Sequence, residues 1–282
     1  MPSPIIKWIG GKRQILNELR EYIPHQYGRY YEPFIGGGAV FFDQMPSKAT
    51  INDFNPQLIG MYQCVKASPE EVMNYLDMLA NQYNSLPNDT EKTAYYYELR
   101  DQYNAAISSN AFNSKTAALL IVLNKAGFNG LYRVNRNGLY NVPAGHREQI
   151  HPYDRENFLA ISKQLKRATI LCGDFEKACK RAISGDFVFF DSPYFDTFDI
   201  YQAGGFTVED HQRLAKLFDY LTDKGVACVL TNSNTDFIKE LYGDYEIKII
   251  PVKRMVNRDA SHRTGTEIIV SNRNRIGGDY KC

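Results

Sequence analysis

The pattern of apolar and polar positions divides this chain into segments of two kinds. Short apolar runs typical of buried strands occur at residues 29–34, 49–53, 170–172, 187–190 and 226–230. Between several of these runs, apolar residues recur every three to four positions, which predicts helices; one such face is formed by Leu214, Leu217, Phe218 and Leu221. Strands alternating with helices predict an α/β fold with a mainly parallel sheet, completed by closing strands near residues 247–249 and 267–270.

Residues 57–150 have a different character because strand runs are absent from them. This segment is rich in Tyr and Asn and has helical apolar spacing at Leu76, Leu79 and Tyr83. Near its end, Asn137-Gly138 is a two-residue turn signal that predicts a β-hairpin. We therefore expect a discontinuous α/β domain made of residues 1–56 and 154–282, interrupted by a helical and loop-rich insertion at residues 57–153.

Composition narrows the functional class. The chain has 282 residues, 44% of them hydrophobic, which provides a sizeable core and argues against global disorder. No apolar run approaches the length of a membrane span, and no signal peptide is evident. The five cysteines form no CxxC pair and the histidines no HExxH motif, so we expect a cytoplasmic protein with free thiols and no catalytic metal.

Charge is balanced overall but unevenly distributed. Lys and Arg number 33 against 32 Asp and Glu. Residues 253–275 carry a net charge of +4, from two acids and the six bases Lys253, Arg254, Arg258, Arg263, Arg273 and Arg275. Other bases, including Lys125 and Arg133, are interleaved with Phe128 and Tyr132 in the insertion. Charge alone fits an ordinary solvated surface equally well, but cations for phosphates and rings for stacking also suit nucleic acid.

A glycine turn and a carboxylate follow the first two predicted strands. The first strand ends in Glu32-Pro33-Phe34-Ile35-Gly36-Gly37-Gly38, and the second ends at Asp53. Glycine turns at the carboxyl ends of parallel strands let the backbone approach a nucleotide, and a carboxylate on the next strand can accept hydrogen bonds from ribose hydroxyls. The pair favours an adenosyl ligand. The alternatives are a purely structural turn and an Asp that caps a helix.

A second motif, Asp191-Ser192-Pro193-Tyr194, follows the apolar strand at residues 187–190. A carboxylate and a neighbouring backbone carbonyl can accept both protons of an exocyclic amine, while the ring of Tyr194 stacks on the base that carries the amine. This arrangement would direct the nitrogen lone pair towards an electrophile.

Taken together, these motifs resemble the N6-adenine DNA methyltransferases of the Dam type over nearly the whole chain. The resemblance rests on Lys7-Trp8-Ile9-Gly10-Gly11-Lys12, the 32–38 turn, Asn52-Asp53-Phe54-Asn55, Phe128–Asn135, Asn141-Val142-Pro143, Gly173-Asp174-Phe175 and Asp191–Tyr194. It implies the Rossmann-like α/β sheet of S-adenosylmethionine-dependent methyltransferases, with residues 57–153 as a helical and hairpin target-recognition insertion. It also implies a monomer that methylates adenine in double-stranded DNA, by base flipping and direct in-line transfer.

The resemblance assigns roles residue by residue. The catalytic residues would be Asp191, Ser192, Pro193 and Tyr194. The cofactor-binding residues would be Trp8, Lys12, Glu32, Phe34, Gly36, Asp53, Asp174, Phe175 and Asp191. The DNA-binding residues would be Lys125, Phe128, Asn129, Leu131, Arg133, Asn135 and Pro143, with Phe128 inserted into the base stack. The hairpin segment is similar to that of GATC-specific members, which makes GATC the expected target.

One position departs from the family pattern. The family usually has Asp-Pro-Pro-Tyr, whereas this chain has Ser192 in the second position. Any residue supplies the backbone carbonyl, but serine lacks the fixed φ of proline. This departure leaves open a DNA-binding homologue with weakened catalysis. A second alternative, which does not depend on Ser192, is an amine methyltransferase that acts on RNA or on a protein and uses a similar clamp. A nicotinamide dehydrogenase is disfavoured because GxGxxG is absent.

Overall fold

The computed structural model describes residues 2–195, 205–253 and 264–277. The basic residues Arg254, Arg258 and Arg263 lie outside the described residues. The chain forms two compact units. The first comprises Met1–Gly11, Gly36–Met45 and Asn55–Cys172, and the second comprises Lys12–Ile35, Pro46–Phe54 and Gly173–Cys282.

A seven-stranded sheet forms the framework. Its strands are β1 (Tyr30–Glu32), β2 (Ala49–Asp53), β3 (Ala168–Cys172), β4 (Phe187–Phe190), β5 (Ala227–Ser233), β6 (Glu246–Lys253) and β7 (Thr264–Ser271), in the order β3-β2-β1-β4-β5-β7-β6. β1 pairs in parallel with β2 and β4, and β4 pairs in parallel with β5. β7 is antiparallel to both β5 and β6. The predicted Rossmann-like α/β fold is confirmed.

Helices of the second unit cover its strands with apolar faces. They are α1 (Leu16–Arg20), which follows a 3₁₀ turn at Lys12–Ile15, α8 (Phe175–Cys179), α9 (Val208–Asp223), α10 (Asp236–Leu241) and α11 (Arg273–Ile276). The predicted face of α9 is confirmed, since Leu214, Phe218 and Leu221 are buried in one cluster with the β4 side chains Val188 and Phe190. Burial of such side chains provides most of the stabilisation of the sheet.

The first unit is helical. Its helices are α2 (Ala39–Gln44), α3 (Pro56–Ala67), α4 (Pro69–Ser85), α5 (Asp89–Ser108), α6 (Ser114–Ala126) and α7 (Arg155–Leu165). α6 packs against α3, α4 and α5, and its residues from Thr116 to Asn124 are all buried. Asn55 starts α3 by accepting hydrogen bonds from two backbone N–H groups, and Pro56 follows at the first helical position. The boundaries predicted at residues 57 and 153 stay a prediction.

The predicted hairpin is present, but its loop is one residue longer than the sequence indicated, because it begins at residue 136. The backbone N–H of Asn135 donates to the carbonyl of Leu139 at 2.8 Å, so the loop has three residues, 136–138. Asn135 Oδ1 accepts from the N–H groups of Asn137 and Leu139, and Gly138 takes a left-handed φ of 74°. A three-residue loop uses its glycine as the left-handed closing residue, so Gly138 does not occupy a two-residue turn.

β5 also differs from its predicted extent. The apolar run 226–230 predicted a strand that ends at Leu230, but the strand continues through Thr231, Asn232 and Ser233. These polar residues stay in the sheet because their side chains form buried hydrogen bonds with the loop after β4. Among the described residues, no helix is both long and apolar enough to cross a membrane.

Candidate functional site

One buried amide, that of Asn52 in β2, holds the chain segments that follow β1 and β3. Asn52, which is 2% exposed, donates from Nδ2 to the carbonyl of Pro33 at 2.9 Å and to the carbonyl of Gly173 at 2.8 Å. The N–H of Gly173 in turn donates to the carbonyl of Asp53 at 3.0 Å. Carboxyl ends of parallel strands are where α/β sheets bind ligands. Four predicted cofactor residues are sequence neighbours of these bonded residues. Glu32 and Phe34 flank Pro33, Asp53 follows Asn52, and Asp174 follows Gly173.

Asp191, the first residue after β4, has two polar partners. Its Oδ1 lies 2.6 Å from Nζ of Lys12 and accepts a hydrogen bond from Oγ1 of Thr231 at 3.0 Å. The Lys12 side chain is 4% exposed and that of Asp191 is 21% exposed. The structure thus holds a nitrogen-borne proton donor directly against the carboxylate that was predicted to receive an amine.

The ionisation of Asp191 is set by opposing effects. Burial raises the pKa of its carboxyl, whereas the Lys12 ammonium and the Thr231 hydroxyl lower it. The nearby Glu267 carboxylate raises this pKa further. Lys12 is therefore the main group that favours the carboxylate form of Asp191.

Tyr194 lies beside this ion pair. The Lys12 Nζ is 4.7 Å from the centroid of the Tyr194 ring, a cation–π distance. The phenol of Tyr194 donates to Oε2 of Glu267 on β7 at 2.6 Å. Burial, with Asp191 and Glu267 nearby, raises the pKa of Tyr194 well above its ordinary value, so the ring is a neutral platform. We call Asp191–Tyr194 the catalytic loop, and Asp191 with the Tyr194 ring the amine clamp, after the roles that the sequence predicts for them.

The remaining two residues of the catalytic loop are Ser192 and Pro193. Ser192 is 2% exposed, and its Oγ accepts a hydrogen bond from Nδ2 of Asn232 at 3.1 Å. The hydroxyl that replaces the usual proline is therefore bound within the protein, not exposed to solvent.

An aromatic group and an ion-pair network lie at Asp174 and Phe175, two of the predicted cofactor-binding residues. The Phe34 ring is 5.4 Å from that of Phe175 and 5.8 Å from that of Phe206. Asp174 caps α8 through Oδ1, and its Oδ2 accepts from Nη2 of Arg213 at 2.9 Å. The Arg213 guanidinium also lies 4.9 Å from the Phe175 ring centroid. Arg213 therefore holds both predicted residues in place.

Two further predicted cofactor residues are carboxylates. Glu32 is 2% exposed and accepts a hydrogen bond from the Tyr30 hydroxyl at 2.6 Å. Asp53 is half-buried at the end of β2, and the next residue, Phe54, is 59% exposed. A Cβ at Gly173 would meet no atom within 4 Å in the described part of the chain, so the space next to this glycine is open.

Trp8 and Gly36 lie together in the first unit. A Cβ at Gly36 would approach Cδ1 of Trp8 to 2.8 Å, and Gly36 has a left-handed φ of 46°. The Trp8 ring stacks on Tyr132 with centroids 5.1 Å apart. The carbonyl of Gly36 accepts from the Tyr62 hydroxyl at 2.8 Å. Glycine is required at this turn because the Trp8 ring occupies the position of a side chain.

The hairpin, which we call the recognition hairpin (Arg133–Asn141), presents its predicted base-contacting residue on the surface. Arg133 is exposed, with Nε donating to Oδ1 of Asn141 at 2.7 Å and Nη2 donating to its carbonyl at 3.0 Å. Asn141 thus binds the Nε–Nη2 edge of the Arg133 guanidinium, and these two bonds fix the orientation of the Nη1 group. Asn135, by contrast, uses Oδ1 to close the turn.

The other predicted DNA-binding residues flank the base of the hairpin. Phe128 is 49% exposed, and Asn129 next to it has a left-handed φ of 54°. The backbone N–H of Phe128 donates to the carbonyl of Pro143 at 2.9 Å, and the Pro143 side chain is exposed. Leu131 and Lys125 are half-buried. An exposed phenylalanine on a rigid turn is available for stacking.

Comparison with known proteins decides the family. The sequence model of the D12 class N6 adenine-specific DNA methyltransferases matches residues 8–257. The chain belongs to this family. It is an adenine-specific DNA methyltransferase of the D12 class.

Curated relatives are similar over almost their full lengths. The type II methyltransferase M1.LlaDCHI of Lactococcus lactis subsp. cremoris is 40% identical over 277 residues, covering 95% of each chain. The type II methyltransferase M.MjaIII of Methanocaldococcus jannaschii is 37% identical, covering 90% of this chain and 93% of that protein. The Retron Ec67 DNA adenine methylase of Escherichia coli is 31% identical, covering 95% and 90%.

Sequence reasoning missed several polar residues that support the site of this D12 enzyme. Thr231, Asn232 and Glu267 contact the catalytic loop, and Arg213 contacts Asp174. Asn124 is 1% exposed and joins Lys7 to the carbonyl of Gly130. For Asn124 the sequence carried a signal, because a polar residue inside an apolar helix pattern stays buried only with partners. Thr231, Asn232 and Glu267 carried no such signal, since they lie at the ends of apolar runs. Within the described ranges, no group of His, Cys, Asp and Glu could hold a metal ion.

Proposed function

We propose that this D12 methyltransferase transfers a methyl group from S-adenosylmethionine to N6 of adenine within GATC in duplex DNA, by base flipping and direct in-line transfer. The observation that carries the proposal is the amine clamp. A nitrogen cation is held 2.6 Å from Asp191 Oδ1 and 4.7 Å from the centre of the Tyr194 ring. The amine of a flipped adenine would hydrogen-bond to the second oxygen of Asp191, Oδ2, while Lys12 stays on Oδ1, and the base would pack on Tyr194.

The chain's own residues supply positioning and electrostatics. The target amine donates one hydrogen bond to the Asp191 carboxylate and one to a backbone carbonyl of the catalytic loop, which directs the nitrogen lone pair outwards. Tyr194 fixes the plane of the base. An adenine inside a duplex cannot reach this clamp, so the base must leave the stack. No covalent intermediate is needed, and burial raises the pKa of the Cys179 and Cys228 thiols, which keeps them protonated.

The residues at the strand ends fit S-adenosylmethionine. When bound, this group supplies an electrophilic methyl group. Asp53 offers carboxylate oxygens to ribose hydroxyls, and Glu32 offers a carboxylate to the methionine ammonium. The Phe34 and Phe175 rings provide apolar surface for an adenine, next to the open space at Gly173. Cofactor roles for Trp8, Lys12, Gly36 and Asp174 stay predictions.

The recognition hairpin supports the proposed target. Arg133 is held by Asn141 with its Nη1 end available, which suits hydrogen bonding to O6 and N7 of guanine. Leu131 and Pro143 would meet the thymine methyl group, and Phe128 would fill the gap left by the flipped base. Because Asn135 Oδ1 closes the turn, Asn135 would contact a base through Nδ2 alone.

A protection assay tests the proposed target. Plasmid without N6-methyladenine is incubated with the protein and S-adenosylmethionine, then digested with an endonuclease that cuts only unmethylated GATC. We expect resistance to cutting, and full cutting after incubation with an Asp191→Ala variant. Complete digestion, with N6-methyladenine detected in another sequence, would reject GATC as the target but not N6-adenine methylation. Absence of N6-methyladenine from every sequence would reject N6-adenine methylation itself.

Replacing Asp53 tests the cofactor site. Asp53→Ala removes charge-assisted hydrogen bonds to the ribose, worth about 1.5–3 kcal/mol, so titration calorimetry should show roughly a tenfold or greater loss of S-adenosylmethionine affinity. Asp53→Asn is the matched control, because it keeps the shape and one acceptor and should lose less. Equal affinity in parent and folded Asp53→Ala protein would exclude the ribose role.

Replacing Arg133 tests base reading. If Arg133 contacts guanine through two hydrogen bonds, Arg133→Ala should lose about 1–3 kcal/mol of discrimination against a substituted base. The measurement is the ratio of kcat/KM for GATC duplexes to that for single-base variants, at several salt concentrations. Arg136→Ala, on the exposed tip of the same hairpin, should keep the ratio. Unchanged discrimination with a shallower salt dependence would make Arg133 a phosphate contact instead.

A further inference from the structure

Asn232 lies at the end of β5, next to the catalytic loop, and its side chain is wholly buried. The residue is 0% exposed, and β5 pairs in parallel with β4, so that Leu230 lies opposite Phe190. On the side of β5 that faces β4, Asn232 therefore lies two residues beyond the last pair, at the level where the catalytic loop leaves β4. A polar amide at such a position needs partners, because an unpaired buried amide is destabilising.

The orientation of the Asn232 amide is fixed by its acceptor oxygen. Oδ1 accepts from the backbone N–H of Ser233 at 2.8 Å and from that of Phe195 at 3.1 Å. Backbone N–H groups can only donate, so the oxygen must face them and Nδ2 must face Ser192. The Ser192 Oγ, 3.1 Å away, is therefore the acceptor of an N–H from Asn232.

These bonds bracket the catalytic tyrosine. Asn232 contacts Ser192 on one side of Pro193-Tyr194 and Phe195 on the other. Ser233 adds a bond from its Oγ to the carbonyl of Phe195 at 2.9 Å, so both backbone polar groups of Phe195 are bound at the end of β5. The Phe195 ring packs on Phe237 with centroids 4.4 Å apart.

We propose that Asn232 is a positioning residue that clasps the catalytic loop through Ser192 and Phe195. In this chain the clasp takes over the restraint that a proline at position 192 would provide through its fixed φ. Asn232 touches neither base nor cofactor; it acts through the orientation of Asp191 and Tyr194. This inference rests on the proposed function of the catalytic loop.

The expected effect is on the rate of the bound complex. Displacing the amine clamp by up to about 1 Å can slow the reaction by up to about a hundredfold. Asn232→Ala should therefore lower kcat by about 10- to 100-fold, with KM for duplex DNA and affinity for S-adenosylmethionine changed less than threefold. Ser192→Ala, which removes only one arm of the clasp, should lower kcat by a smaller factor. Ser192→Thr keeps a hydroxyl acceptor and should recover most of the parental kcat.

The matched control is Asn272. It also belongs to the second unit and is 0% exposed. Its Oδ1 accepts a hydrogen bond from the N–H of Cys228, and its Nδ2 donates to the hydroxyl of Thr222 and to the carbonyl of Val226. Because these partners are remote in the bonding network from the catalytic loop, Asn272→Ala should lower thermal stability while folded protein keeps the parental kcat. Loss of stability alone is thereby separated from loss of positioning.

The experiment measures single-turnover methyl transfer to duplex DNA for the parent, the single variants and the double variant Ser192→Ala/Asn232→Ala. If Ser192 acts through Asn232, Ser192→Ala should lower the rate when it is introduced into the parent. It should not lower the rate further when it is introduced into the Asn232→Ala protein. If Asn232→Ala fails to fold, the comparison of Ser192→Ala with Ser192→Thr decides. If the parent is active and both the Ser192→Ala and the folded Asn232→Ala variants keep the parental kcat, the clasp is wrong and the proposed function is unaffected. A parent that transfers no methyl group to DNA would overturn the proposed function and the clasp with it.

Discussion

Asp191→Ala is expected to abolish nearly all methyl transfer while the protein still binds DNA. In the proposed mechanism the Asp191 carboxylate acts on the amine as the nitrogen begins to form its new bond, so the effect of the substitution should be on the transition state more than on duplex binding. Loss of one preorganised group of this kind costs about 10²–10³ in kcat. The measurement is single-turnover transfer of labelled methyl groups, with DNA affinity from fluorescence anisotropy in the same buffer.

The folded state of this variant needs its own check, because Asp191→Ala leaves Lys12 buried without its carboxylate. Removing one partner of a buried ion pair can cost about 3–5 kcal/mol, so thermal unfolding should accompany each rate measurement. Asp223→Ala, an exposed carboxylate at the end of α9, is the control that should leave both rate and stability near parental values. Near-normal turnover by folded Asp191→Ala protein would show that the amine is held elsewhere.

The strand ends that carry the site were predictable because their signal is local. The run at residues 187–190 is apolar on both faces of the strand and coincides with β4, so Asp191 had to follow its end. β2 likewise ends at Asp53 as the pattern indicated. Since parallel strands present their carboxyl ends at one edge, the sequence was sufficient to expect carboxylates near one another there.

The supporting contacts were not predictable because each depends on pairing between distant segments. Thr231 and Asn232 look like the loop after a strand, since polar side chains end an apolar pattern, yet both lie in β5 and are wholly buried. Glu267 meets Tyr194 only because β7 pairs with β5 in a register that places Glu267 opposite Ser233. Registers of this kind are set by the folded sheet, not by local spacing.

The contact between Lys12 and Asp191 predicts how the rate of methyl transfer depends on pH. In the proposed mechanism the active form of Asp191 is the carboxylate, because a protonated carboxyl accepts hydrogen bonds from the Lys12 ammonium and the target amine less well. Burial raises the pKa of this carboxyl and Lys12 opposes the rise. Removing the cation therefore raises the pKa of Asp191 further, and the carboxylate form is lost at a higher pH than in the parent.

We accordingly expect Lys12→Met to shift the acidic limb of the pH dependence of kcat to higher pH. Below the new pKa the variant should be much slower than the parent, and raising the pH should restore part of the difference because Asp191 ionises again. Rates are measured at saturating S-adenosylmethionine, so that any loss of cofactor affinity does not enter kcat. Lys163→Met, an exposed lysine near the end of α7, should keep the parental profile. A Lys12→Met enzyme that is slower by the same factor at every pH would show that Lys12 positions a ligand and does not set the charge of Asp191.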